Sequence, residues 1–134
     1  MQLNIITPEK TLFAAAIEMV VIPGTEGDFG VLPGHMPFIS TIRPGVITVT
    51  GENGGERQLA ILGGIAEVVP DHCTILAETA IDAEGLTADH VKSRFDAAKA
   101  ALEESADDKA RIEAEKHMAF AEALKFLLGE PIFE

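Results

Sequence analysis

Two patterns of apolar and polar positions divide the chain at Gly85. Before it, apolar residues come in short runs broken by glycine and proline. After it, they recur at helical spacing. Residues 17–22 (Ile-Glu-Met-Val-Val-Ile) are apolar and rich in β-branched side chains, and Pro23-Gly24 ends them, so they predict a strand. Residues 45–50 (Gly-Val-Ile-Thr-Val-Thr) predict a second strand, closed by Gly51 and the turn cluster Asn53-Gly54-Gly55. Residues 57–62 pair back across that turn as a hairpin. Residues 65–69 and 73–78 predict another antiparallel pair joined through Pro70-Asp71-His72, and Gly63-Gly64 marks a bend or bulge. Strand-like segments recurring about every 8–12 residues point to an all-β sandwich or barrel.

Beyond Gly85 the pattern changes. Thr87 is placed to cap a helix, with Asp89 in the first turn where the helix dipole favours a negative charge. Val91, Phe95, Ala98 and Leu102 follow at spacings of 4, 3 and 4, the seam of a helix packed on another helix. Residues 103–108 are polar and hold three good capping residues, Ser105, Asp107 and Asp108, which predicts a tight connection. A second helix is expected over about 109–128, with Gly129 as its cap and Pro131 blocking continuation. Its Ala114, Ala121, Leu124 and Leu128 are expected to meet the first helix's seam. Eleven of the 12 glycines and six of the seven prolines lie at or before Gly85. That asymmetry sets the expected boundary between a β domain over 1–85 and an antiparallel helical hairpin over 86–134.

Composition narrows the functions open to such a fold. The 134 residues carry 10 basic and 22 acidic side chains, a net charge of −12. A surface so acidic repels nucleic-acid phosphates and anionic lipid, which argues against either as a partner and against direct lipid insertion. One cysteine, Cys73, excludes an intrachain disulfide. No apolar run approaches the roughly 18 residues of a membrane span. The opening Met1-Gln2-Leu3-Asn4-Ile5-Ile6-Thr7-Pro8 has neither the basic-then-apolar order of a signal peptide nor the Arg- and Ser-rich character of a transit segment.

No catalytic, metal or cofactor constellation emerges. Gly24-Thr25-Glu26-Gly27-Asp28-Phe29-Gly30 imitates a phosphate loop, but Val31-Leu32-Pro33-Gly34 cannot start a helix and two carboxylates would repel phosphate. Its glycines are those of a tight turn. Histidines 35, 72, 90 and 117 lack metal-ligand spacing, and Cys73 sits in an alternating run as a small core side chain. Ser40, Ser93 and Ser105 have no nucleophile-elbow context.

One ordered set of blocks carries more information. Glu26-Gly27-Asp28-Phe29-Gly30-Val31-Leu32-Pro33-Gly34-His35-Met36-Pro37-Phe38 resembles the signature of the epsilon subunit of bacterial F-type ATP synthases, an acidic-glycine turn followed by Gly-hydrophobic-x-Pro-Gly-His-x-Pro. The resemblance continues through Ile42-Arg43-Pro44-Gly45-Val46-Ile47, Gly63-Gly64-Ile65-Ala66-Glu67-Val68 and Thr74-Ile75-Leu76-Ala77-Glu78-Thr79-Ala80-Ile81, in the family's order and spacing. It covers nearly all of the β part. The hairpin matches in architecture alone.

The resemblance implies a flattened β-sandwich of about ten strands followed by a two-helix hairpin. It implies a non-catalytic subunit of the central rotor stalk that links the gamma subunit to the c-ring and couples proton flow to ATP synthesis. Glu26, Gly27, Asp28 and Phe29 fall at the expected c-ring interface, and Thr7 and His35 at the expected gamma interface. For His35, a turn residue bonding within its own loop is the structural alternative. The family's hairpin also contacts the alpha/beta catalytic head and restrains ATP hydrolysis in several members. The implied location is peripheral, on the cytoplasmic face of the bacterial plasma (inner) membrane; a plastid-encoded protein would also lack a transit segment. Some members bind ATP through Ile/Leu-Asp-x-x-Arg-Ala. Here Leu86-Thr87-Ala88-Asp89-His90-Val91 keeps the leucine but replaces the Asp, Arg and Ala, so no cofactor is expected. The alternative to the whole assignment is a non-catalytic acidic adaptor unrelated to ATP synthase.

Overall fold

The computed structural model describes residues 1–129. Seven strands come first: β1 (Gln2–Ile6), β2 (Thr11–Gly24), β3 (Gly27–Val31), β4 (Phe38–Ile42), β5 (Gly45–Gly51), β6 (Glu56–Val69) and β7 (His72–Asp82). Two helices follow, α1 (Ala88–Glu103) and α2 (Asp108–Leu128). A β-sandwich with a helical hairpin behind it is thus the architecture. The strand count is lower than the ten or so expected, because β2, β6 and β7, of 14, 14 and 11 residues, each serve neighbours that shorter strands would meet separately.

The long strands hold the sandwich together. The N-terminal half of β6 pairs with β5 from Gly45↔Ile61 to Thr50↔Glu56, and its C-terminal half pairs with β4 from Phe38↔Val68 to Ile42↔Gly64. β2 pairs with β1 through its first half and with β3 and β5 through its second. β1 lies between β2, antiparallel, and β7, parallel. The core between the layers is aliphatic: Leu3, Ile5, Ile17, Val20, Ile22, Ile47, Leu59, Ile61 and Ile75 are all within 1% of complete burial.

The bulge expected at Gly63-Gly64 is present, and it decides which side chains face outward. The β6–β7 register slips on both sides of Gly63. Before the slip, Leu59 and Ile61 point into the sandwich while Ala60 and Leu62 point outward beneath the helices. After it, Ala66 and Val68 point inward and Ile65 and Glu67 face solvent. Gly64 has φ +157°, and a Cβ there would lie 2.2 Å from the Leu76 carbonyl oxygen.

The helix limits follow their caps. The Thr87 hydroxyl accepts from the His90 amide, the Asp107 carboxylate accepts from the Ala110 amide, and Gly129 closes α2 with φ +72°. Of the expected seam residues, Val91 and Ala98 on α1 and Ala114, Ala121 and Leu124 on α2 are buried. Sequence periodicity did not show that α2 also docks on the sandwich. Phe120, fully buried, joins Ala123 and Leu124 against Ala60 and Leu62, with Val91 of α1 completing the cluster. Lys116 seals the edge by donating to both carboxylate oxygens of Glu78 on β7, at 2.7 and 2.8 Å.

Candidate partner-binding surfaces

The acidic turn is the tip of the β2–β3 hairpin. Gly24↔Gly27 is its last register pair, leaving Thr25 and Glu26 at the apex. Gly27 adopts φ +128°, a conformation that favours glycine. Glu26, Gly27 and Asp28 are exposed, while Phe29 is half-buried. The two carboxylates are not equivalent. Asp28 accepts a 2.6 Å bond from Arg43 Nη2, and the same guanidinium donates through Nη1 to the Gly24 carbonyl at 2.6 Å. Periodicity gave no sign of this pair, which joins residues fifteen positions apart.

His35 lies in the loop between β3 and β4, which is anchored by the Gly34 amide donating to the Pro70 carbonyl at 2.6 Å. The His35 amide donates to the Leu32 carbonyl, and its Nδ1 donates to the Met36 carbonyl at 2.9 Å. Its ring sits 5.0 Å from that of Phe38, which in turn meets Phe29 edge-on at 5.1 Å. His35 therefore bonds within its own loop, the structural alternative raised from the sequence. Its half-exposed ring is tied to the acidic hairpin through the two phenylalanines.

Thr7 is only 8% exposed. Its hydroxyl donates to the Lys10 carbonyl and accepts from the Lys10 amide, fastening the β1–β2 turn. The side chain is thus spent inside the turn, and the surface at this position is made by its neighbours. Thr7, Pro8 and Ile6 border a shallow apolar depression shared with Ile65 and Leu76.

Between Thr7 and His35 lies a sheet face that sequence reasoning missed. Register places Ile6, Leu76, Ile65 and Thr41 in one row across β1, β7, β6 and β4. The next row is Asn4, Thr74, Glu67 and Ile39. Ile39, Leu76 and Ile65 are 69%, 53% and 45% exposed. Thr7 stands at the Gly64 end of these rows and His35, through Pro70, at the Val69 end. The α2 helix covers the other half of the outer face of β6, so the free half is bounded by Glu78 and Lys116. The available signal was parity: Ile65 and Leu76 occupy the outward positions that Glu67, Thr74 and Glu78 mark as solvent-facing. Such apolar side chains clustered on one face mark interaction surfaces.

Burial pushes the Cys73 thiol up to about 11, so it stays protonated and inert in the core. At the place of the family's nucleotide motif, the Thr87 hydroxyl caps α1 by accepting from the His90 backbone amide. Among the described residues no group of histidine, cysteine and carboxylate side chains is placed to hold a metal ion, and no helix is long and apolar enough to cross a membrane.

Residues 1–83 match the family model of the ATP synthase Delta/Epsilon chain, beta-sandwich domain. An ATP synthase epsilon chain of Rhodospirillum rubrum is 42% identical over 123 residues, 92% of each chain. That of Maricaulis maris is 47% identical over 114 residues, 81% of this chain and 85% of that one. In a structure of the Euglena gracilis mitochondrial ATP synthase comprising OSCP, F1 and c-ring, one chain superposes with a TM-score of 0.77 at 26% identity, covering 94% of this chain and 79% of that one. A chain from the central stalk and c-ring of the Tetrahymena thermophila mitochondrial enzyme shares the fold, with a TM-score of 0.68 at 15% identity and 94% of each chain covered. Relatives matching along almost their whole length extend the agreement from the sandwich into the hairpin, and the chain belongs to the ATP synthase epsilon chain family, the non-catalytic subunits of that enzyme.

Proposed function

We propose that the protein is a rotor subunit whose free sheet face binds the gamma subunit and whose acidic hairpin turn meets the c-ring, so that it helps couple proton flow to ATP synthesis. The observation that carries the gamma assignment is the exposed row of Ile65 and Leu76, with Ile39 beside it, lying between the two positions the resemblance marked for gamma. Covering these side chains is worth about 1 kcal/mol each or more at roughly 25 cal/mol per Å². The Euglena neighbour's assembly includes the c-ring, which supports placing the opposite contact there. The subunit then lies peripherally at the cytoplasmic face of a bacterial plasma membrane. The hairpin is the segment within reach of the alpha/beta head.

Replacing Ile65 and Leu76 together by aspartate tests the gamma interface. Both sites are open to water in the isolated chain, so folding is expected to survive, whereas a gamma interface would bury two unpaired charges. Binding to gamma should weaken about a hundredfold or more, which is roughly 2.7 kcal/mol. Unchanged gamma affinity for a folded double variant would remove this face from the interface.

No cofactor is part of the proposal. The Thr87 hydroxyl is engaged in capping α1, and His90 stands where the family's phosphate-binding arginine would be. Calorimetric titration of the whole chain with millimolar ATP should give no binding heat. A saturable isotherm would overturn this.

A further inference from the structure

The tip of the β2–β3 hairpin is tied most closely by Arg43, a residue outside it. Arg43 follows β4, and its backbone amide donates to the Pro23 carbonyl at 2.9 Å. Its guanidinium bonds the Gly24 carbonyl on the incoming arm and the Asp28 carboxylate on the outgoing arm, both at 2.6 Å. A second tie comes from β4, where the Thr25 amide donates to the Thr41 carbonyl at 3.1 Å and the two threonine hydroxyls lie 2.7 Å apart. The glycines at 24 and 27 would otherwise leave this tip free to take several shapes.

We propose that Arg43 is a positioning residue for the ring contact. It fixes the acidic turn in one shape and neutralises Asp28, leaving Glu26 as the carboxylate offered to the polar groups of the ring. The proposal deepens, and rests on, the assignment of this turn to the c-ring. Three features of the geometry favour positioning over simple stabilisation. The Arg43 and Asp28 side chains are 43% and 62% exposed, so the ion pair contributes little to folding. The guanidinium spans both arms of the hairpin with two separate donors, a geometry that a lysine ammonium does not reproduce. Glu26 makes no ion pair among the described residues, so the uncompensated charge stands at the apex. A tip ordered before encounter spares the ring the cost of ordering it.

The test uses the full chain and enzyme depleted of this subunit. In the isolated chain, R43A should speed hydrogen exchange at the Thr25 amide about tenfold or more while the melting temperature holds within about 2 °C. On reconstitution, R43A should weaken ring-dependent association about tenfold. R43K, which keeps the charge, should recover little of the Thr25 protection or of the association. E26K should weaken association by a similar factor without loosening the turn. Unchanged protection in R43A, or full recovery of protection and association by R43K, overturns the positioning role. So does a loosened turn with unchanged association. If E26K also leaves association unchanged, the assignment of the turn to the ring falls as well, separately from what Arg43 does to the turn.

Discussion

Gly64→Ala should lower the melting temperature by roughly 10 °C. The added methyl would sit 2.2 Å from the Leu76 carbonyl oxygen and 3.1 Å from the Ala77 Cα, both backbone atoms of the neighbouring strand. Relief requires β6 and β7 to move apart at the bulge. Overpacking of this kind, with the backbone strain of a positive φ, costs roughly 2–4 kcal/mol. One kcal/mol corresponds to about 3–5 °C in a chain of this size. Gly30→Ala is the control: the nearest atom to its Cβ is the Met19 sulfur, at 4.0 Å, and the melting temperature should hardly change. Thermal unfolding followed by circular dichroism distinguishes the two. Equal melting curves would mean that the bulge is soft and does not fix the switch between helix-covered and free halves of β6.

Phe120→Ala should release the helical hairpin while leaving the sandwich folded. The ring is fully buried among Ala60, Leu62, Val91 and Leu124, and the Arg94 guanidinium lies 5.5 Å from its centroid. Truncating a buried phenylalanine costs roughly 3–5 kcal/mol. Among the described residues, that cost falls on the apolar cluster joining the helices to β5, β6 and β7. A further tie, Lys116 to Glu78, is a partly exposed ion pair worth about 1 kcal/mol or less. Hydrogen exchange should therefore rise across α1 and α2 and stay slow in β2, β6 and β7. In the assembled enzyme, truncating the chain after Glu84, which removes the hairpin altogether, should raise ATP hydrolysis only modestly. Arg111 is already paired with Asp108 and Glu115, and Lys116 with Glu78, so α2 presents mixed pairs rather than a basic stripe for acidic subunits. A tenfold rise would mark the hairpin as a strong inhibitor. Unfolding of the sandwich together with the helices would show that the cluster is part of a single cooperative core.

Where structure is set by near neighbours, the sequence was legible. The β5–β6 hairpin follows from two β-branched runs around Asn53-Gly54-Gly55, and the helix limits follow from Thr87, Asp107 and Gly129. Local pattern failed where pairing is distant or punctuation misleads. β1 is too short to stand out, and its parallel partner β7 lies some seventy residues away. β3 and β4 were hidden by the glycines and prolines around them, which read as turn. Phe120 was missed because α2 has two apolar sides, one toward α1 and one toward the sheet, while the seam accounts for only the first. The acidic turn and the His35 loop were located from their residues. Their fastening by Arg43 and by Pro70 needs the fold. Thr7 was singled out as a surface contact, yet the structure spends its hydroxyl inside a turn and gives the surface to Ile65 and Leu76.

Co-purification decides the main assignment. The tagged full-length chain, expressed in its own host, should recover gamma and c subunits in constant ratio from detergent-solubilised membranes. The variant carrying aspartate at Ile65 and Leu76 should recover far less gamma. Recovery of other proteins without gamma and c, at low and physiological salt alike, would contradict a place in the rotor and favour an acidic adaptor built on the same fold.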